Sequence, residues 1–271
     1  MSRSFALAFL TVPDLHPTQA ISVAAETGYD SVGLRLLPAA ANGEGPYPIL
    51  TDASVLAEAR AALADTGIRV GDVEIVRLKP YTKAEEFTGF LECAAALGAA
   101  NVLVAGDDPE PARLTQTFGA FAQLAASYGL TADLEFMPWT GVRNAAEAKA
   151  IVEGAGQSNG GVLADALHWD RTGGKVEDLQ SLPANRIHYF QLCDAPAEYD
   201  RSDAGLISIA RGGRLLPGEG GIDLPAFVRA LPADVPISIE IASADLVNRL
   251  SPRDRAAQAL AAAKATIANI L

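Results

Sequence analysis

The stretch NVLVAGDDPEPARLTQTFGAFAQLAASYGLTADLEFM, residues 101–137, contains one complete strand–helix–strand unit. Its two ends, NVLVAG and TADLEFM, are short apolar runs of the kind found in strands buried in a parallel sheet. The segment between them, PARLTQTFGAFAQLAASYG (111–129), is Ala-rich and amphipathic, and it ends in Gly, a common signal at the carboxyl end of a helix. The stretch therefore predicts two parallel strands joined by a helix.

The same unit recurs along the chain. Ala-rich amphipathic segments predict helices at 52–67, 83–98 and 144–156, and a last helix at 251–271. Eight strand–helix units in 271 residues predict an α/β fold, a single (β/α)₈ TIM barrel that forms one domain over residues 1–271. A doubly wound open sheet is the rival, but LTVPDLHP after the first strand has no G-x-G-x-x-G phosphate loop. Apolar runs bounded by Gly, Pro, Asp or Asn predict the other six strands at 5–12, 31–36, 69–78, 160–165, 187–194 and 236–242.

The composition narrows the functional class. No run of 18 apolar residues predicts a membrane span, and the first residues, MSRSFALAFLTVPDL, fit a first strand better than a signal peptide. Only two cysteines, Cys93 and Cys193, are present, which indicates a reducing compartment, so we expect a cytoplasmic protein. A net charge of −12 argues against a nucleic-acid partner. The net charge does not exclude an anionic small substrate, because a few arginines can make the inside of a cleft positively charged.

Polar residues stand at the carboxyl ends of four consecutive predicted strands, where TIM barrels carry their chemistry. Each follows an apolar run in which a charged or amide side chain is costly unless it is paired. Carboxylates brought together raise one another's pKa unless a cation compensates, and an all-oxygen ligand set favours Mg²⁺, Mn²⁺ or Co²⁺ over zinc. The alternative is that these side chains pair with arginines or cap the following helices. The four residues are Glu135, Asp165, Gln191 and Glu240.

The stretch GVLADALHWDRTGG, residues 161–174, places one of only three histidines three positions after an aspartate. Asp165 could cap the helix that follows, with the His168 ring packed beside it. Alternatively, Asp165 and His168 face one cavity and take part in chemistry together. By strand alternation, His188 lies on the opposite face from the candidate ligand in its strand, so we expect it to point toward the helices.

Five segments in the second half of the chain resemble the sugar phosphate isomerase/epimerase superfamily, the xylose-isomerase-like TIM barrels. The resemblance implies that Glu135, Asp165, Gln191 and Glu240 hold one divalent metal ion, Mn²⁺, Mg²⁺ or Co²⁺ rather than Zn²⁺. Gln191 departs from the family pattern, because it replaces the His of an H-x-x-D motif. A glutamine there is similar to the 3-dehydroshikimate dehydratase branch. The segments are LEFMPWT, VLADALHWDRTG, IHYFQLCDAP, LLPGEGGIDLPAF and ISIEI.

Enzymes of this superfamily share one step, the removal of a proton from a carbon next to a carbonyl. The resemblance favours dehydration of a keto acid like 3-dehydroshikimate, with His168 as the base or the leaving-group acid, because the pKa of histidine is usually near the working pH. Sugar (phosphate) ketose isomerisation or epimerisation is the alternative, with Glu135 and Glu240 acting as acid and base on opposite faces of the substrate. A DNA-repair endonuclease shares the barrel but needs more histidines and a basic groove. A non-catalytic ligand-binding barrel is the remaining alternative.

Several side chains are candidates for substrate contacts. Arginine binds carboxylate or phosphate through two parallel hydrogen bonds, so arginines near the barrel mouth indicate an anionic or polyhydroxylated small substrate. An internal ion pair with Glu74 is the alternative for Arg35 and Arg77. The segment 32–50 predicts an extended loop that serves as a lid or an oligomer contact, and the family leads us to expect a homo-oligomer. The candidates are Arg35, Arg77, Trp139, Arg171 and Arg214.

Overall fold

The computed structural model describes residues 3–39 and 47–270. Its strands are all parallel, pair in chain order and close into a barrel, since β1 pairs with both β2 and β8. The predicted (β/α)₈ TIM barrel is thus confirmed. The strands are β1 (Phe5–Leu7), β2 (Ser31–Arg35), β3 (Arg69–Leu78), β4 (Asn101–Gly106), β5 (Thr131–Glu135), β6 (Gly160–Asp165), β7 (Phe190–Leu192) and β8 (Ile237–Ile239).

Helices alternate with these strands and cover the outside of the barrel. The predicted helices at 52–67, 83–98, 111–129, 144–156 and 251–271 are all present, and each end lies within five residues of its predicted position. The α-helices are α1 (Pro17–Thr27), α2 (Pro48–Thr51), α3 (Ala53–Thr66), α4 (Thr88–Ala96), α5 (Pro111–Ala126), α6 (Ala145–Ala155), α7 (Ala166–Arg171), α8 (Val176–Gln180), α9 (Asp203–Gly212), α10 (Leu224–Ala230), α11 (Ala244–Arg249) and α12 (Pro252–Ile270). Short 3₁₀ helices cover Phe9–Thr11, Ala84–Phe87 and Ala184–Arg186.

Three strands are less than half as long as the sequence predicts. The first was expected to run from 5 to 12, but it ends at Leu7 and a 3₁₀ helix follows. Thr11 in that helix is buried, and its hydroxyl donates to the carbonyl of Ile239 at 2.8 Å. Residues 8–12 therefore resemble a strand in the sequence because they are apolar and partly buried, although they form a 3₁₀ turn. The strands predicted at 187–194 and 236–242 likewise keep only their central residues.

Two apolar layers hold the barrel together. The larger layer lies between the strands and the surrounding helices, and the smaller one fills the barrel itself. Because the interior layer is small, it leaves room for polar groups toward both ends of the barrel. Part of the extended loop predicted at 32–50, residues 40–46, lies outside the described residues. The interior layer consists of Ile75, Leu103, Ala105, Met137, Leu163 and Tyr189, with Ala39 and Trp139 packed against it.

His188 contacts a buried carboxylate inside the barrel, although the sequence predicts that it points toward the helices. His188 Nδ1 is 2.6 Å from Asp133 Oδ1, and the Asp133 side chain is fully buried on β5. The prediction that His188 points toward the helices is wrong, because β7 begins only at Phe190 and strict alternation does not extend back to residue 188. Gly161 makes room for the pair, since a Cβ there would lie 2.6 Å from His188 Nδ1.

Candidate functional site

A cavity of about 220 Å³ lies at the carboxyl ends of the strands. Part of its wall is apolar, formed by Leu10, Ile75 and Met137, and the rest carries charged groups. It brings together most of the side chains that the sequence singles out, although they come from elements spread over the whole chain. Those that line it are Arg35, Arg77, Glu135, Trp139, His168, Arg214 and Glu240.

Arg214 lies among the predicted metal ligands and pairs with two of them. Its Nη1 is 2.7 Å from Asp165 Oδ2, and its Nη2 is 2.8 Å from Glu240 Oε2, with all three side chains buried. Burial alone would raise the pKa of Asp165, but Arg214 and His168 outweigh burial and lower it. Burial raises the pKa of Glu240 to about 7, since Arg214 only partly offsets it. The Arg214 guanidinium thus neutralises Asp165 more completely than Glu240.

Glu135 and His168 face each other across the cavity floor. Glu135 Oε1 is 3.7 Å from His168 Nε2, and both side chains are buried. Burial, followed by the charges of Asp165 and Glu240, raises the pKa of Glu135 well above its usual range. Burial also lowers the pKa of His168 to about 4, so the expectation that this imidazole titrates near the working pH is wrong. Near neutral pH His168 is an uncharged ring.

Two contacts fix the position of the His168 ring. Asp165 Oδ1 accepts a hydrogen bond from the backbone N–H of His168 at 3.0 Å and caps α7. The Trp139 ring meets the imidazole edge-on, with ring centroids 5.1 Å apart. Asp165 therefore serves as a helix cap, while its other oxygen pairs with Arg214 among the cavity's charged groups. The helix-cap alternative drawn from the sequence is thus confirmed, while joint chemistry of Asp165 and His168 stays a prediction.

The donor set is suited to a divalent metal ion. Gln191 Nε2 donates to Glu240 Oε1 at 3.0 Å, while Gln191 Oε1 is buried and accepts no hydrogen bond from any described residue. Such an orphaned amide oxygen beside three carboxylates is what a hard cation would satisfy. Glu135, Asp165 and His168 each offer a ligand atom within 4.8 Å of the others. His168 is therefore close enough to act as a ligand as well.

The arginines at the mouth are held by acidic partners. Arg35 Nη2 is 2.8 Å from Glu74 Oε2, and Arg77 Nη1 is 2.7 Å from Asp107 Oδ2. The pairing of β3 with β4 shifts between residues 73 and 76, and both Glu74 and Ile75 line the cavity there. Arg35 and Arg77 therefore line the cavity, and the internal ion pair with Glu74 anticipated for them is made by Arg35.

Arg171 is not brought to this cavity. Its guanidinium contacts the Asp170 carboxylate, donates to the carbonyl of Pro196 at 2.7 Å and lies 3.8 Å from the centre of the Tyr199 ring. These contacts hold it against the neighbouring loop. The structure thus gives Arg171 a place in loop packing, and contact with a substrate at this site finds no support in its position.

Asp194, three residues after Gln191, has a structural role that the sequence analysis leaves unassigned. Its buried carboxylate accepts hydrogen bonds from the backbone N–H groups of Ala195, Gly218 and Ile222 at 2.9 to 3.1 Å. Its backbone also exchanges two hydrogen bonds with Leu215, the residue after Arg214. Asp194 thereby fixes the glycine-rich loop that positions Arg214. The sequence signal that could have found it is the acid at this spacing from Gln191, followed by the glycine-rich segment that it binds.

The closed barrel, with its charged cavity at the carboxyl ends of the strands, defines the chain as a (β/α)₈ TIM barrel. The chain belongs to the xylose isomerase-like TIM barrel family, whose model matches residues 21–266. The resemblance drawn from the second half of the sequence is therefore confirmed. None of the helices in the described part of the chain is both long and apolar enough to cross a membrane.

Individual relatives include enzymes of two reaction types. A 3-dehydroshikimate dehydratase from Pseudomonas aeruginosa is 31% identical over 136 residues, which is 49% of this chain and 21% of the relative. An inosose isomerase from Bacillus velezensis is 29% identical over 112 residues, 41% of this chain and 38% of the relative. The matches thus span well under half of either relative's length. A solved structure of the IOLI protein with bound zinc has a TM-score of 0.81 at 17% identity and covers 99% of both chains.

Proposed function

We propose that this protein is a divalent-metal-dependent lyase that dehydrates a small keto acid resembling 3-dehydroshikimate. The observation that carries the proposal is the convergence of Glu135, Glu240 and His168 in one cavity whose wall also carries arginines. Carboxyls with raised pKa values and an uncharged imidazole can exchange protons with a substrate near neutral pH. The Pseudomonas relative named 3-dehydroshikimate dehydratase supports the same reaction class.

His168 is the group that moves the proton. Its neutral imidazole accepts the proton from the carbon next to the substrate carbonyl, which breaks the C–H bond. The imidazolium then lies 3.7 Å from Glu135 Oε1, a carboxyl that stabilises the positive charge when ionised. The same proton passes to the hydroxyl on the neighbouring carbon, so the C–O bond breaks, a C=C bond forms and one water leaves.

The metal ligands in this proposal are Glu135, Asp165, Gln191 and Glu240. A bound Mn²⁺, Mg²⁺ or Co²⁺ supplies Lewis-acid polarisation of the substrate carbonyl. Gln191 contributes its otherwise unsatisfied amide oxygen. Because Arg214 contacts one oxygen of Asp165 and one of Glu240, it would compete with a metal ion for these two carboxylates.

The arginines indicate the substrate class. Arg35, Arg77 and Arg214 all line a cavity that also contains three carboxyls, those of Glu74, Glu135 and Glu240. A substrate carboxylate would share an arginine already held in place by an acidic partner, so little side-chain entropy is lost on binding. Trp139 gives an apolar wall on which a six-membered ring can lie. These features favour a cyclic acid over an uncharged sugar.

Ketose or inosose isomerisation is the second candidate, and the Bacillus relatives named inosose isomerase favour it. In that case Glu135 and Glu240 exchange protons with the two faces of the substrate, and the proton returns to carbon with no water lost. Both reactions start with the same proton removal. They differ in whether a hydroxyl leaves from the neighbouring carbon.

Purified protein stripped of metal and reloaded with Mn²⁺, Mg²⁺, Co²⁺ or Zn²⁺ tests the proposal. Each form is assayed on 3-dehydroshikimate, by growth of ultraviolet absorbance from an aromatic product, and on a panel of inososes and ketoses. Metal-dependent aromatic product supports the dehydratase. Turnover confined to the panel moves the assignment to an isomerase or epimerase. Tight binding of these compounds without turnover by any metal form would instead make the protein a binding barrel.

A further inference from the structure

A second polar cavity lies at the opposite end of the barrel. It has a volume of about 170 Å³ and lies among the first residues of the strands, lined by Ser31 on β2, Asp72 on β3, Asn101 on β4 and Ser238 on β8, together with Tyr189 just before β7. None of these residues has a role in the proposed lyase reaction. Since the amino-terminal end of a TIM barrel is usually packed for stability, a polar cavity there needs a separate explanation.

Three buried oxygens on this cavity have no hydrogen-bond partner among the described residues. They are Asp72 Oδ1, the Tyr189 hydroxyl and Ser238 Oγ, and their residues are 3%, 3% and 1% exposed. Buried polar atoms in native proteins are almost always satisfied by protein, water or an ion. Three such atoms on one cavity wall indicate that something polar occupies it.

The charges around Asp72 indicate that the occupant of this cavity is positively charged. Three other carboxylates, those of Glu74, Asp133 and Glu240, act on Asp72, and Arg35 acts against them. The exposed Arg69 also lines this cavity, and it is not among the groups that shift Asp72 most. Arg35 pairs with Glu74. Burial, followed by these like charges, raises the pKa of Asp72 well above its usual range. A buried carboxylate among like charges is stabilised by a cation, and an anion would be repelled.

Two glycines make room for the polar groups. A Cβ on Gly33 would lie 3.0 Å from Asp72 Oδ1, and a Cβ on Gly71 would lie 3.0 Å from Ser31 Oγ. Glycine inside a strand costs stability, so it is used where another group must approach closely. The Asp72 carboxylate and the Ser31 hydroxyl thus lie where neighbouring strands carry no side chain.

We propose that Asp72, Tyr189 and Ser238 form a site for a monovalent alkali cation, Na⁺ or K⁺, at the amino-terminal end of the barrel. One carboxylate with neutral hydroxyls balances a single positive charge, whereas Mg²⁺ demands stricter octahedral geometry and gives up its water reluctantly. The volume of about 170 Å³ accommodates the ion and a few waters, because each water takes about 30 Å³. A cation held by Asp72 and Ser238 connects β3 to β8, which are not hydrogen-bonded to each other.

Thermal unfolding in matched salts tests this site. The full chain is treated with EDTA, so that divalent metals make no contribution, and its melting temperature is followed in KCl, in NaCl and in tetraethylammonium chloride. The bulky tetraethylammonium ion offers no compact charge to oxygen ligands. We expect K⁺ or Na⁺ to raise the melting temperature by about 3–6 °C at saturation relative to tetraethylammonium.

Two variants and a control locate the effect. Asp72→Asn removes the charge with little change in shape, and Ser238→Ala removes one hydroxyl; the first should abolish the cation-dependent rise and the second should weaken cation affinity about 10-fold. Asp65→Asn changes net charge equally on exposed α3 and should keep the full rise. If Asp72→Asn fails to fold, Ser238→Ala still tests the site.

Crystals grown in RbCl provide the direct observation, since Rb⁺ replaces K⁺ and scatters anomalously. Anomalous density beside Asp72 and Ser238 supports the site. Equal melting temperatures in the three salts, or an undiminished rise in Asp72→Asn, would overturn it and indicate a protonated Asp72 surrounded by water. Either outcome leaves the proposed lyase activity untouched, because the assay for that activity depends on divalent metals at the other end of the barrel.

Discussion

Arg214 and Asp165 form a fully buried ion pair, 2.7 Å between Nη1 and Oδ2, in the middle of the group of side chains proposed to bind metal. The same guanidinium reaches Glu240 at 2.8 Å. Arginine thus provides the positive charge that these carboxylates need when they are not coordinating a metal ion. If Asp165 and Glu240 bind a metal ion as proposed, that ion and Arg214 compete for these two carboxylates.

Replacing Arg214 should make the fold depend on metal. Arg214→Met leaves Asp165 and Glu240 buried without their partner, which we expect to lower the free energy of unfolding by about 3–5 kcal/mol in EDTA. Added Mn²⁺ should restore more stability to this variant than to the wild type. Denaturant unfolding with and without Mn²⁺ measures both effects. Arg60→Met, on the exposed face of α3 and away from the cavity, is the matched control; similar stability of the two variants in EDTA would refute the competition.

Gln191 should be a metal ligand rather than a spacer. Gln191→Leu keeps the size of the side chain but removes the amide oxygen, so we expect the dissociation constant for Mn²⁺ to rise at least about 10-fold, or about 1.4 kcal/mol. Gln191→His supplies another metal-binding group and should retain affinity. Competition titrations against a chelating dye give the constants. Unchanged Mn²⁺ affinity in Gln191→Leu would remove Gln191 from the ligand set.

His168 should act on the substrate without holding the metal. Gln at this position cannot accept and return a proton, so His168→Gln should lower kcat about 10²–10⁴-fold on the preferred substrate while bound metal stays the same. Trp139→Phe keeps an aromatic ring against residue 168 and should cost far less. Steady-state kinetics and metal analysis are measured on the same preparations. If His168→Gln loses its metal, His168 belongs among the ligands. The structure allows this, because ligand atoms of His168, Glu135 and Asp165 lie within 4.8 Å of one another.

The barrel and the placement of strand-end carboxylates could be predicted from the sequence. The spacing of apolar residues and the glycines at helix ends are local features that indicate where strands and helices begin and end. The position of Arg214 could not, since 49 residues separate it from Asp165 and its loop is fixed by Asp194 through backbone contacts. The pKa of His168 was also missed, because burial depends on residues far away in the chain. Asp72 gave no signal, since a single acid within a strand is usually assigned to the solvent face.

The pair of His188 and Asp133 should make stability depend on pH. Burial lowers the pKa of His188, but the hydrogen bond and charge of Asp133 outweigh burial, so the pKa is raised. A raised pKa means that the pair contributes its full stability below the unfolded pKa of about 6.5 and loses that stability as the pH rises through the folded pKa. The difference in unfolding free energy between wild type and His188→Gln should thus be largest near pH 6 and shrink at higher pH.

Titration of the histidine ring signals by NMR, together with denaturant unfolding from about pH 6 to pH 9, checks this dependence. His188 should titrate above the value of a free histidine, and Asp133→Asn should bring its pKa down because the buried partner charge is gone. Asp133→Asn and His188→Gln should then show the same, flatter stability profile. A His188 signal that titrates at or below the free value, or a stability difference that grows with pH, would show that the ring is neutral in the folded protein and that Asp133 holds it by a hydrogen bond alone.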